Sequence, residues 1–268
     1  MNENTVIHGD CITAMEELPS ESVDLIVADP PYNLSADSSM GYDGESGAGE
    51  FGGGWEQVNE DWDGFTIDGY QEFTERWITE SKRVLKDDGS MFVFGTYHNI
   101  GFVNACLQQN AFEILNEIIW YKRNAFPNLS QTRLTASHEN ILWVTTEGNG
   151  YTFNYDWVKE TEWPHDAFDK PGTQVRSVWN IPTNKTQAEQ NHDHPTQKPL
   201  SVIDRVVQLA SDAGDVVLDP FAGSGTTLVS AKRHDRAFIG IEKDESYVDM
   251  SRERVGDVDV TGTPRSPV

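Results

Sequence analysis

Apolar residues along the chain fall into short runs separated by polar turns, and their spacing switches between the two-residue period of strands and the three-to-four-residue period of helices. Val6-Ile7 predicts a short strand, Cys11 to Leu18 a helix, and Val23-Asp24-Leu25-Ile26-Val27-Ala28 a buried strand that runs directly into Asp29-Pro30-Pro31-Tyr32. Two prolines must end that strand, because neither carries an N–H for the ladder. Tyr70, Phe73, Trp77, Ile78, Val84 and Leu85 stand near helical spacing, which predicts a helix from Asp68 to Lys86 closed by Asp87-Asp88-Gly89. Met91-Phe92-Val93-Phe94, Phe112 to Trp120 and Asn140 to Thr145 read as strands, the last two joined by a polar connection from Asn124 to Thr135. After Pro199 come a helix from Leu200 to Leu209, a strand Val216-Val217-Leu218, a turn from Asp219 to Thr227 that opens a helix, and a strand from Ala237 to Ile241 ending at Glu242. Strands alternating with helices predict an α/β fold with a doubly wound, mostly parallel, Rossmann-like sheet.

Two stretches interrupt the alternation. Residues 35–64 are rich in Gly, Ser, Asp and Glu with no apolar period, and a loop of that length directly after Tyr32 is read first as a lid and second as a disordered insertion. Residues 124–193 are aperiodic but carry Tyr151, Phe153, Tyr155, Trp157, Trp163, Phe168 and Trp179, read first as local core and only second as a surface on which bases stack. Residues 257–268 read as a frayed tail.

Composition supports a packed core: the chain has 268 residues, 37% of them hydrophobic, with 8 Trp, 8 Tyr and 12 Phe. No stretch approaches the roughly 20 consecutive apolar residues of a membrane span, and the first residues lack a basic segment followed by an apolar one, so a cytoplasmic protein without membrane contact is expected. Two cysteines, Cys11 and Cys106, make neither a disulfide framework nor a four-ligand zinc site and read as small core residues; no metal site is predicted.

Charge complicates the picture. Twenty basic against 44 acidic residues give a net charge of -24, the wrong sign for a nucleic-acid partner. One resolution is a halophilic source, whose cytoplasm holds molar salt and shrinks the Debye length to about 3 Å; the other is a substrate other than DNA. Two windows favour the first. Ile118 to His138 contains no Asp or Glu but holds Lys122, Arg123 and Arg133, and Lys170 to Ala188 is also acid-free, with Lys170, Arg176 and Lys185. Lys122, Arg123, Arg133 and Arg176 are the candidate DNA contacts.

The chemistry concentrates at two predicted strand ends. Gly223 and Gly225 lie in a turn between a strand and a helix, where a ligand can approach backbone closely, and Glu242 ends the next strand in position to accept hydrogen bonds from ribose hydroxyls. No Lys follows the second Gly, which excludes a phosphate-gripping loop and favours a nucleoside without phosphates, such as S-adenosylmethionine. Asp29-Pro30-Pro31-Tyr32 suits an amine substrate. If the Asp29 carboxylate and the Pro30 carbonyl both accept from an exocyclic NH2, the nitrogen is drawn towards tetrahedral geometry and its lone pair turns to the methyl donor. Pro31 has no N–H to compete, and Tyr32 would stack on a base taken out of the helix. By itself the tetrapeptide is as readily a surface turn; its place after a buried strand argues for a site.

Ala28-Asp29-Pro30-Pro31-Tyr32-Asn33-Leu34, His194-Pro195-Thr196-Gln197-Lys198-Pro199-Leu200 and Asp219-Pro220-Phe221-Ala222-Gly223-Ser224-Gly225-Thr226-Thr227 resemble the signature blocks of the DNA N4-cytosine/N6-adenine methyltransferases, in the circularly permuted order of the beta group. The resemblance covers about residues 4 to 255. It implies a catalytic half over 1–123, an inserted target-recognition region over 124–193 and a cofactor half over 194–256. It further implies S-adenosylmethionine held by Asp219, Phe221, Gly223, Ser224, Gly225, Thr226 and Glu242, with Thr196 and Lys198 also touching it. Double-stranded DNA is the implied substrate; a cognate restriction endonuclease and a homodimer are the partners it admits. Asp29 followed by Asn33-Leu34 resembles the adenine-specific members, whereas many cytosine-N4 enzymes carry Ser at the first motif position. The rival readings are an RNA or protein amine methyltransferase, which usually has the opposite motif order, and a DNA-binding protein without activity, against which the intact motifs argue.

Overall fold

A computed structural model of the chain describes residues 2–32, 66–125, 127–128, 132–146, 150–162, 172–183 and 197–258. Its strands are β1 (Thr5–His8), β2 (Val23–Ala28), β3 (Leu85–Gly95), β4 (Phe112–Tyr121), β5 (His138–Thr146), β6 (Val178–Asn180), β7 (Val216–Asp219) and β8 (Ala237–Glu242). Its helices are α1 (Cys11–Glu16), α2 (Ile67–Val84), α3 (Ile100–Gln109), α4 (Tyr155–Glu160), α5 (Leu200–Ala210), α6 (Thr226–Arg233) and α7 (Glu245–Gly256). Side-chain oxygens cap several helix starts: Asp10 accepts from the Ile12 and Thr13 amides, Thr66 from Gly69, and Asp244 from Ser246 and Tyr247.

The strands form one sheet in the order β1-β8-β7-β2-β3-β5-β4-β6. Neighbours are parallel except where β5 runs antiparallel to β3 and β4. Alternate strand residues enter two cores. Leu25, Val27, Phe92, Phe94, Val217 and Phe238 face α5, α6 and α7 on one side, and Ile26, Ala28, Met91, Val93, Leu218 and Ile239 face α1, α2 and α3 on the other. A strand buried on both faces has no reason to alternate apolar with polar, which is why β2 and β3 read as continuous hydrophobic runs. The doubly wound, mostly parallel sheet predicted from the sequence is the one observed.

Two neighbouring strands define where a ligand belongs. From β7 the chain passes through α6 on one face to β8; from β2 it passes through α2 on the other face to β3. The chain therefore leaves β7 and β2 in opposite directions, and the crevice outside their carboxyl ends is the topological switch point of the sheet.

The helix expected to reach Lys86 stops at Val84, because Leu85 is already extended (φ -71°, ψ 137°) and pairs with Val23. Residues 86–89 form an irregularity before Ser90 pairs with Leu25, so Asp87-Asp88-Gly89 lies within β3 and does not close the helix. Burial of Val23 and Leu85 against each other outweighs local helix propensity there. Trp179 is buried, Trp157 and Tyr151 pack against the core, and Phe153 and Tyr155 are partly exposed in edge-to-face contact with each other, Phe153 also meeting Trp143 edge-on. Trp163 and Phe168, like the expected lid at 35–64 and the tail from 259 onward, lie outside the described residues. Cys11 and Cys106 are buried free thiols, as expected of core residues, and burial pushes Cys11 up to about 12. Among the described residues no helix is long and apolar enough to cross a membrane.

Candidate active site

The Asp29-Pro30-Pro31-Tyr32 tetrapeptide leaves the carboxyl end of β2 and is clamped from behind. The Tyr70 hydroxyl, from α2, donates to the Pro31 carbonyl at 2.9 Å and accepts from the Asn99 amide nitrogen at 3.1 Å. Asn99 in turn accepts from the Thr96 amide at 2.8 Å, so the turn between β3 and α3 fixes the loop through one buried side chain. Neither Tyr70 nor Asn99 stands out as a site residue in the sequence. Tyr70 reads there as one more apolar position of an amphipathic helix.

Further side chains converge on Asp29. The Tyr32 hydroxyl donates to Asp29 Oδ1 at 2.5 Å, and the Lys198 ammonium donates to Asp29 Oδ2 at 2.5 Å and lies 3.0 Å from the Tyr32 oxygen. Glu139, the second residue of β5, places Oε2 3.4 Å from the Tyr32 oxygen and 3.6 Å from Lys198 Nζ, while its Oε1 takes the Lys122 ammonium at 2.9 Å. Lys198 also lies 5.5 Å from the centre of the Phe94 ring. Burial raises the Asp29 carboxyl above its ordinary range, and Lys198 pulls against that rise without cancelling it. Burial likewise lifts Tyr32 well above an ordinary phenol, helped by the two carboxylates. For Glu139 and Lys198 the balance goes the other way. Burial would discharge each, but Lys198 and Lys122 together hold Glu139 below the usual carboxylate range, and Asp29 and Glu139 hold Lys198 above the usual ammonium range.

The second half of the site is the turn after β7. Gly223 and Gly225 both adopt positive φ, 48° and 78°. Only Gly223 faces the crevice, which is lined by Asp29, Lys198, Asp219, Phe221, Ser224 and Thr226 among others. At Gly225 a Cβ would lie 2.7 Å from Ser251 Cβ, so the missing side chain there admits α7. The turn is also tied to α7 by Arg254, whose Nη1 donates to Ser224 Oγ at 2.8 Å and Thr226 Oγ1 at 3.3 Å. Burial lowers that guanidinium to about 10. Phe221 is held edge-on by Trp77 and Phe73 of α2, at 5.5 and 6.2 Å between ring centres. Asp219 accepts from the Phe221 amide at 3.0 Å, and burial pushes its carboxyl up to about 7. Glu242 ends β8 and uses one oxygen on the Gly223 amide and the other on the Asp244 amide, both at 2.8 Å. Each oxygen keeps a second lone pair for a ligand hydroxyl.

The expected DNA contacts separate. Arg123, Arg133 and Arg176 are at least partly exposed. Lys122 instead pairs with Glu139 and has a side-chain exposure of only 19%. Lys198, expected beside the cofactor, lines the crevice but spends its charge on Asp29. Thr196 lies outside the described residues. Glu139 lies outside the three signature blocks, although a carboxylate in a strand buried from Glu139 to Thr146 is a signal in itself, since such a charge needs a partner.

A doubly wound, mostly parallel sheet with a glycine turn and a buried carboxylate at adjacent strand ends is the methyltransferase type of α/β fold. The DNA methylase family profile matches residues 23–253, and the chain belongs to that family. It is 38% identical over 262 residues to the Type II methyltransferase M.HinfI of Haemophilus influenzae, covering 95% of this chain and 69% of that one. It is 37% identical over 258 residues to the Type II methyltransferase M2.DpnII of Streptococcus pneumoniae, covering 95% and 90%. Among solved structures, the M1.HpyAVI complex with S-adenosylmethionine matches with a TM-score of 0.66 at 23% identity, covering 94% of this chain and 98% of that one. The cytosine-N4-specific PvuII DNA methyltransferase matches with a TM-score of 0.71 at 17% identity, covering 98% and 89%.

Proposed function

We propose that the chain is a site-specific DNA methyltransferase that moves a methyl group from S-adenosylmethionine to adenine N6 of a base flipped out of duplex DNA. The observation that carries this reading is the adjacency of Asp29 and the Gly223 turn at the carboxyl ends of β2 and β7, which lets one crevice serve an amine acceptor and a nucleoside donor. The residues present fit the donor. Gly223 and Phe221 offer backbone and a ring edge, Glu242 offers lone pairs to hydroxyls, and Asp219 offers a carboxylate to an ammonium. When bound, S-adenosylmethionine supplies a methyl already activated by positive sulfur. Asp29 then has to orient the acceptor nitrogen, the tyrosine clamp keeps the loop from yielding, and the buried walls exclude water.

DNA as substrate follows from family membership and from the two Type II relatives. The catalytic loop precedes the cofactor turn in the chain, the permuted order of the beta group, which supports DNA over other amines. Asp at position 29 supports adenine. The likeness to a cytosine-N4 enzyme extends to the fold alone, so the base is decided by chemistry: sequencing that distinguishes modified bases, applied to DNA from cells expressing the protein, should report N6-methyladenine within one recurrent sequence. N4-methylcytosine would move the assignment within the family, and label from a tritiated methyl donor entering only RNA or protein would refute it. A restriction endonuclease of the same sequence specificity is the functional partner that the Type II relatives suggest for this chain.

A further inference from the structure

Asp29 must accept from a target amine, yet each of its oxygens already accepts one bond, from Tyr32 and from Lys198, and Lys198 itself lines the crevice beside Asp29, so an amine entering there competes with the ammonium for the carboxylate. Displacing a buried ammonium from its carboxylate without a replacement would leave an uncompensated charge in a low-dielectric site, a cost that would suppress turnover. The structure holds a replacement. Glu139 Oε2 lies within about 1 Å of full bonding distance to both Lys198 Nζ and the Tyr32 hydroxyl. Its other oxygen is pinned by Lys122, and its backbone belongs to a strand buried between β3 and β4.

Resting on the amino-methyltransferase reading, we propose that Glu139 is a positioning residue that takes over the Lys198 ammonium and the Tyr32 hydroxyl when a target amine claims the Asp29 carboxylate. Two carboxylates and two ammonium groups face one another in the cluster, so the exchange is charge-neutral before and after a neutral amine arrives. No bond to carbon and no proton changes hands in it; only hydrogen bonds are redistributed. Lys198 thereby fills the place of the amine in the resting enzyme and supplies Asp29 with a countercharge until substrate replaces it.

Two measurements on the full chain test this. The first needs no substrate: the 13C titration of the Asp29 carboxyl should move upward by a unit or more in Lys198→Met, which removes the favourable charge, and downward in Glu139→Gln, which removes the unfavourable one. An Asp29 titration unmoved in both folded variants would overturn the network whatever the activity. The second is single-turnover methyl transfer to DNA. Glu139→Gln should slow it at least tenfold at saturating DNA, with the dissociation constant for S-adenosylmethionine within about twofold and with Glu139→Asp recovering part of the rate. A Glu139→Gln rate within twofold of wild type would overturn the hand-over. Titrations that shift as stated in a wild-type protein that labels no DNA would sink the substrate reading and leave the charge network standing.

Discussion

Asp29 and Lys198 stand 169 residues apart in the chain and 2.5 Å apart in the fold, and this contact joins the carboxyl end of β2 to the segment that leads into α5. Neither charge is tolerable alone at this depth. Asp29→Ala is therefore expected to abolish transfer, by three orders of magnitude or more, because it removes the carboxylate that orients the amine. Affinity for S-adenosylmethionine should stay within about 1 to 2 kcal/mol of wild type, since mainly hydrogen bonds to the target are lost. The orphaned Lys198 keeps Glu139, so the variant should fold, with a loss nearer about 1 than about 5 kcal/mol. Equilibrium dialysis and a filter-binding transfer assay check both statements, and undiminished turnover would refute the mechanism.

Asp219 gives a pH dependence with a definite sign. Its folded carboxyl titrates at about 7, far above the ordinary unfolded value of about 3.9. Between those values the folded state holds a proton the unfolded state has released, so this group's contribution to stability is full below about pH 4 and lost as pH rises to about 7. Asp219→Asn removes that slope. The difference in Tm between variant and wild type, measured without cofactor, should grow in favour of the variant from pH 5 to 7 and then level off. A difference independent of pH would show that Asp219 is ionised throughout.

Gly225 tests the packing role assigned to it. Gly225→Ala forces a side chain into φ 78° and within 2.7 Å of Ser251 Cβ, which should cost about 1 to 3 kcal/mol of stability in chemical denaturation. Ser251→Gly in the same chain should recover the steric part while leaving the backbone part. If Gly225→Ala instead weakens cofactor binding with no change in stability, the glycine faces the ligand after all.

The contrast between the two glycines shows what a sequence conveys and what it withholds. Strand ends, the double proline and the glycine turn are local features: each forces the backbone within a few residues, so the switch-point crevice and both of its walls are legible in the amino-acid sequence. Glu139, Tyr70, Asn99 and Arg254 act across dozens of residues, and only the strand order β8-β7-β2-β3-β5 and the helices packed on it bring them to the groups they hold. Lys122 departs from expectation for the same reason. An acid-free window looks like a free positive surface until β5 delivers Glu139, the carboxylate that follows directly after the window. Arg83, an ordinary charge in the last turn of a helix by its sequence, bonds the carbonyls of Met15 and Leu18 and so ties α2 to the end of α1.

Lys122 and Arg123 are adjacent yet should respond differently to removal. No ion pair involving Arg123 is found among the described residues, so Arg123→Ala should weaken DNA binding and reduce the salt slope by about 1 while leaving the transfer rate at saturating DNA near wild type. Lys122→Ala unpins Glu139 and should slow transfer at saturating DNA with little change in the salt slope. Equal salt slopes for Arg123→Ala and wild type would remove Arg123 from the DNA-facing surface.

The net charge of -24 leads to the last expectation. At low ionic strength this charge repels both itself and DNA phosphates, and the exposed Arg123, Arg133 and Arg176 are outweighed by the excess of acidic residues. Salt at about 1 M cuts the Debye length to about 3 Å, which silences the long-range repulsion but leaves contacts such as Lys198–Asp29 intact, because buried pairs are screened far less. Ordinary DNA binders lose affinity steeply with salt as counterion release is suppressed. Here the repulsive term should dominate, so methyl transfer and Tm should both rise with KCl from about 50 mM towards molar concentrations. Full activity at about 50 mM, falling steadily upward, would mean that the acidic surface lies far from the DNA path and that the halophilic reading of the composition is wrong.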